Sequence, residues 1–102
     1  MRIVGAQDLP DDPIDAAEVF HSRIVPEVRF AVRVGDLPVS IVFSPADYTH
    51  RGWRLAAVQS LAREAAPGRV NGVAGEDKLA IEQTIAWLAK APGVTGQLLA
   101  VR

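Results

Sequence analysis

Apolar residues in this chain follow two rhythms. Short, nearly continuous runs of aliphatic and β-branched residues alternate with longer stretches where apolar positions recur every three or four residues. The run "RIVGA" (residues 2–6) predicts a strand, ended by the polar "QDLPDDP". Asp12 followed by Pro13 is a helix start, a carboxylate able to cap free N–H groups and then a proline at the first helical position. Asp15 adds negative charge in the first turn, where the helix dipole favours it. Ile14, Ala17, Phe20, Ile24 and Val28 then define one apolar helical face. Pro26 lies inside that pattern and predicts a kink or a stop, because it removes a hydrogen bond and crowds the preceding turn.

The segment "VRFAVRV" (residues 28–34) reads two ways: as the second part of a kinked helix, or as a strand turning through Gly35 to Pro38. "VSIVFS" (residues 39–44) is a strand buried on both faces. The loop "PADYTHRG" leads into a helix from about Trp53 to Ala66, stopped by Pro67 and Gly68. Trp53, Ala57, Leu61 and Ala65 form its inward stripe, with Arg54, Gln59, Arg63 and Glu64 outside it. "RVNGVA" is a third strand. A helix from about Glu76 to Lys90 follows, facing inward through Ile81, Ile85 and Leu88 with Trp87 beside them. After the break at "APG", "GQLLAV" (residues 96–101) is a fourth strand. The order β-α-β-α-β-α-β predicts an α/β fold. Its four-stranded parallel sheet is expected to be joined by right-handed crossovers and covered by helices.

Length and composition narrow the picture. The 102 residues form one domain, with no linker long enough to divide them. Apolar residues make up 49% and charged residues 23%, as in an ordinary globular protein. A net charge of −1, with basic and acidic residues interleaved, gives no reason to expect nucleic acid or an anionic membrane as a partner. There are no cysteines, which excludes disulfides, thiolate metal sites and cysteine nucleophiles. His21 and His50 stand far apart and outside any metal-binding spacing, so no metal site is expected. No segment approaches the roughly 18 apolar residues of a membrane span, and the N-terminus turns polar too early for a signal peptide. A cytoplasmic protein is expected.

Two blocks carry a resemblance. "LAREAAPGRVNGVAG" (residues 61–75) and "APGVTGQLLAV" (residues 91–101) resemble the C-terminal half of the short-chain dehydrogenase/reductase family. "RIVPEVR" (residues 23–29) is similar to a proline-bearing helix of those enzymes, which favours the kinked helix for residues 28–34. The resemblance implies a half-Rossmann, three-layer-like arrangement in which the glycine-rich nucleotide-binding half is missing. No glycine-rich phosphate turn occurs in the chain, and Gly72 and Gly75 read as strand-exit and turn glycines.

The family's tyrosine and lysine, one helical turn apart, supply its acid chemistry. Counting back from "LARE" without a gap places Asp47 and Arg51 at those positions; a slip of one residue restores Tyr48 but puts Gly52 at the lysine's place. Ser44 roughly matches the family's strand-end serine, and Arg102 ends the chain where the family continues Asp-Gly-Gly. Tyr48, Arg51 and Ser44 are therefore vestigial candidates, with neither catalysis nor a cofactor expected. Ser44, Asp47 and His50 lack a nucleophile elbow, and the acids of "DLPDDPID" (residues 8–15) are helix-capping rather than calcium-binding.

The expectation is a non-enzymatic Rossmann-like protein that works through self-association or binding to another protein. Without the missing half, the strand at residues 2–6 becomes an open edge, so Arg2, Ile3 and Val4 are interface candidates. The helices at residues 14–34 and 53–66 add Phe20, Ile24, Trp53, Ala57 and Leu61, since their counterparts form the family's dimer interface. A homodimer is expected, or pairing with a full-length relative. The alternative is residual NAD(P) binding or weak oxidoreductase activity, which Tyr48, Arg51 and Arg54 near a helix N-terminus would serve as an anion site.

Overall fold

The structure, a computed structural model, describes residues 1–101. Strand β1 (Arg2–Ala6) leads into helix α1 (Pro13–Val19), a π-helical turn (Phe20–Ile24) and helix α2 (Val25–Arg33). Strand β2 (Val39–Phe43), a 3-10 turn (Tyr48–His50), helix α3 (Arg51–Ala65), strand β3 (Val70–Ala74), helix α4 (Lys78–Ala89) and strand β4 (Leu98–Ala100) follow. The order is the alternating one expected, and the four strands form a single all-parallel sheet in the sequence β1-β2-β3-β4.

Asp12 starts α1 as expected, accepting the backbone N–H groups of Ile14 and Asp15 at 2.9 and 3.0 Å, with Pro13 at the first position. Pro26 neither stops nor splits the helix. The π turn just before it lets the Val25 N–H reach back to the Phe20 carbonyl, widening the backbone where the proline ring would crowd an α-helical turn. The turn holds one residue more than an α-helical one, so a strict count of threes and fours carried back through it is out of phase. Ala16 is buried in α1 while Ile14 stands 78% exposed, contrary to the expected face.

Residues 28–33 are helical. At the end of α2, Gly35 adopts φ 77°, the Asp36 N–H bonds the Ala31 carbonyl at 2.9 Å, and the Gly35 N–H bonds Val32 at 3.1 Å. That is a Schellman closure, which needs a residue free to take positive φ. Asp36 then receives the Arg2 Nε at 2.8 Å and the N-terminal ammonium at 2.9 Å, pinning β1 to the turn that feeds β2.

Side chains alternate across the strands, so the two faces of the sheet can be told apart. Val4, Ala6, Val39, Ile41, Phe43 and Val70 pack in one core with the π-helical turn, α2 and α3. Val42 and Val73 point the other way, into a second core with Ile81, Ile85 and Leu88 of α4. The result is three layers, helix, sheet and helix, with β2 buried along its whole length. One expectation fails here. In a parallel sheet of sequential strand order, connections over opposite faces have opposite hands. The β1–β2 and β2–β3 connections run over one face and the β3–β4 connection over the other, so the three crossovers do not share one hand.

The blocks that carried the family resemblance bond to one another. The Asn71 amide donates to the Val94 carbonyl and its oxygen accepts the Gln97 N–H, each at 3.0 Å. Thr95 Oγ1 accepts the Val70 N–H at 3.1 Å. Arg69 Nη1 donates to the carbonyls of Leu88 and Ala91, at 2.7 and 2.8 Å, at the end of α4. These contacts fasten the last crossover and satisfy polar groups that burial would otherwise strand.

Candidate functional site

Open parallel sheets gather ligands beyond the carboxyl ends of their strands. Such a cavity, about 290 Å³, lies here past the ends of β3 and β4 and beside the head of α3. Ala74, Leu98 and Val101 give it an apolar wall, while Asp47, Tyr48, His50, Arg51 and Arg54 line the other side.

Each residue on that side is placed by the start of α3. Asp47 accepts the Thr49 N–H at 2.9 Å and also the Thr49 hydroxyl, capping the 3-10 turn. Those bonds, the hydroxyl's first, hold its carboxyl below the ordinary carboxylate range. Tyr48 is 88% exposed at the rim. Arg51 also stands exposed and makes no salt bridge among the described residues. Beneath them His50 is buried, its Nε2 at 2.8 Å from the Asp11 carbonyl and its Nδ1 at 3.0 Å from the Trp53 Nε1. An indole N–H only donates and a carbonyl only accepts, so His50 is the neutral tautomer with its proton on Nε2.

Arg54, named with Tyr48 and Arg51 as an anion-site candidate, departs from expectation in its burial. Expected outside the apolar stripe of α3, it is instead only 5% exposed. Its guanidinium lies over the Phe43 ring at 4.8 Å from the centroid, and 5.9 Å from that of Trp53. Phe20, Phe43 and Trp53 pack edge-on or stacked against each other, with centroids 5.4 to 6.1 Å apart, and form the floor beneath it. Nη1 donates to the Ser44 carbonyl at 2.9 Å, and Nε is buried with no acceptor. No carboxylate among the described residues pairs with the guanidinium, and burial lowers its pKa.

The residues singled out from sequence separate into groups. Tyr48 and Arg51 both reach the cavity, whereas Ser44 does not line it and contributes its carbonyl to Arg54. Val4, Phe20, Ile24, Ala57 and Leu61, named as interface candidates, lie inside the chain's own core. Trp53 is half-buried against that core; Arg2 is half-exposed and Ile3 is 51% exposed on the outer strand. His21 is exposed and bonds the Ala17 carbonyl within its own helix. Among the described residues no three of His, Asp and Glu gather to hold a metal ion, and no helix is long and apolar enough to cross a membrane.

Sequence reasoning missed the burial of Arg54 and the bond between His50 and Trp53. The available signal was the placement of both between Phe43 and the strand ends, which emerges only when the strands are registered. A family model described as short chain dehydrogenase-like protein matches residues 4–101. No curated protein and no solved structure matches the chain.

Proposed function

The chain belongs to the short chain dehydrogenase-like protein family, and from that premise we propose that it is a non-catalytic member acting through association with a second copy of itself. The observation that carries this reading is the outer edge of β1. Arg2–Ala6 pairs with β2 alone, and Ile3 is half-exposed on the face of the sheet that α4 covers farther along. An open edge of this kind invites pairing. A two-fold axis through it joins two β1 strands antiparallel and makes one continuous eight-stranded sheet from the four strands of each copy.

The chemistry at the cavity supports the non-catalytic half of the reading. The family's nicotinamide dinucleotide does not fit the residues present. Nowhere does the sequence hold a glycine-rich turn for its pyrophosphate, and the loop after β1 offers Asp8, Asp11 and Asp12, of which Asp12 caps α1. A guanidinium, Arg51, stands near the place of a lysine, and the two groups are not equivalent where a compact ammonium is needed. A cavity of about 290 Å³ also lies at the small end of ligand sites.

Light scattering across a concentration series tests the association. Twice the chain mass is expected, with Ile3→Lys moving the equilibrium toward monomer; a wild-type monomer at high concentration would overturn it. Titration with NADH and NADPH, followed by tryptophan fluorescence, tests the chemistry. No saturable change is expected, and saturation with turnover of a carbonyl substrate would overturn the non-catalytic assignment.

A further inference from the structure

A buried arginine without a counter-charge is rare, because desolvating a cation is unfavourable unless something repays it. Arg54 is such a residue: it is nine-tenths buried, it lines the strand-end cavity, and its Nε lacks any acceptor. The Ser44 carbonyl takes only one of its N–H groups, and stacking on Phe43 leaves the guanidinium's charge uncompensated. The N-terminus of α3 is not what points to a ligand, since it continues directly from the 3-10 turn that Asp47 caps. What points to a ligand is a guanidinium against the cavity with no counter-charge and with Nε lacking an acceptor.

We propose that the cavity binds a small monocarboxylate, with Arg54 holding the carboxylate and the apolar wall receiving the remainder of the molecule. A single buried cation matches a single negative charge, and the opposite wall of Ala74, Leu98 and Val101 matches a short aliphatic or keto chain. A doubly charged phosphate would need a second buried cation, and Arg51 is exposed at the rim. Nε and Nη2 form the edge of the guanidinium not used by Ser44, the edge suited to two parallel bonds with a carboxylate. Nε is sealed in the free protein, so binding includes a small rotation of the Arg54 head toward the ligand. Tyr48 and Arg51 stand at the entrance, where a hydroxyl and a second positive charge favour entry of an anion. This inference is independent of the β1 edge and of self-association.

The test follows the Arg54 Nε–H resonance in nitrogen-15 NMR spectra of the full chain, with butyrate, pyruvate, inorganic phosphate, NADH and sodium chloride as separate probes. A saturable shift with butyrate or pyruvate, absent with chloride at matched ionic strength, is expected. Arg54→Met should weaken that binding by about 10- to 100-fold, the loss of one charged hydrogen-bonding group. Arg54→Lys, which keeps the charge without the fork, should lose less. If either variant unfolds, the wild-type resonance still decides the question. A response to phosphate or NADH alone would overturn the carboxylate assignment, as would an unshifted Nε–H at tens of millimolar carboxylate. Carboxylate binding that Arg54→Met leaves unchanged in a folded protein would overturn the role of Arg54.

Discussion

Trp53 donates its indole N–H to Nδ1 of His50 at 3.0 Å, and His50 in turn holds the Asp11 carbonyl through Nε2 at 2.8 Å. The chain of two bonds ties the loop after β1 to the head of α3, across 39 residues of sequence. It also fixes the ring that forms one side of the cavity. Local helix signals start α3, but this tertiary link decides how the helix head sits against the strand ends.

Replacing the donor exposes the strength of that link. Trp53→Phe keeps an aromatic ring among Phe20 and Phe43 but leaves Nδ1 of the buried His50 without a donor. A loss of about 1–3 kcal/mol is expected, measured by urea denaturation. Trp87, exposed on α4, is the control; Trp87→Phe should stay within about 0.5 kcal/mol of wild type.

Arg54 predicts a near-neutral change instead. Arg54→Met places an apolar side chain of similar length over the Phe43 ring and removes a buried charge, at the cost of one hydrogen bond to Ser44. Relief of desolvation and loss of that bond roughly cancel, so the variant should fall within about 1 kcal/mol of wild type or above it. A melting temperature several degrees lower would mean that the guanidinium is a structural strut rather than a residue kept for a ligand.

These two residues also mark where the sequence stops being legible. Strands and α4 were readable because their apolar periods are clean; the cap that starts α4, Asp77 accepting the N–H groups of Leu79 and Ala80, sets its first residue at Lys78, two past the expected start. The segment after Pro26 stayed ambiguous because a hairpin turn and a Schellman closure both call for a glycine such as Gly35. The hand of the last crossover was hidden, since β3 is apolar on both faces and does not say which side α4 will cover. Arg54 was misplaced for a related reason. Helical periodicity assigns a charged residue beside Trp53 to the solvent face, and only the packing of α3 across Phe43 turns that position inward. Of the site, Tyr48, Arg51 and Arg54 could all be named from their place near the start of a helix; that Arg54 is buried beneath the other two could not.

Gly75 gives a backbone prediction. A Cβ there would sit 2.5 Å from Cγ2 of Val101 and 2.7 Å from its carbonyl oxygen. The close approach belongs to the end of β4, where the Val101 N–H reaches the Ala74 carbonyl at 2.8 Å. Gly75→Ala must push that segment away, and a loss of about 1–3 kcal/mol is expected. Amide exchange should quicken first at Val101 and then along β4, because the clash is with backbone that no rotamer change can move. Protection unchanged at Val101 would mean that the strand end accommodates the methyl group.

The pin on β1 makes stability depend on pH. The Arg2 hydrogen bond, then that of the N-terminal ammonium, hold the Asp36 carboxyl below the ordinary carboxylate range. Arg29, bonding Glu64 at 2.7 and 2.9 Å between α2 and α3, does the same to that side chain. Both groups therefore take up protons in the unfolded chain first as the pH falls. Their contribution is complete above the ordinary carboxylate range, about pH 4, and disappears as the pH drops through the lower folded values. Asp36→Asn should be less stable than wild type near neutrality, and the gap should close in acid. Asp36 also fastens the edge strand, so the variant should show faster amide exchange across Arg2–Ala6 at neutral pH, whereas Glu64→Gln should leave that strand unchanged. A gap that stays constant with pH would assign the effect of Asp36 to packing rather than charge.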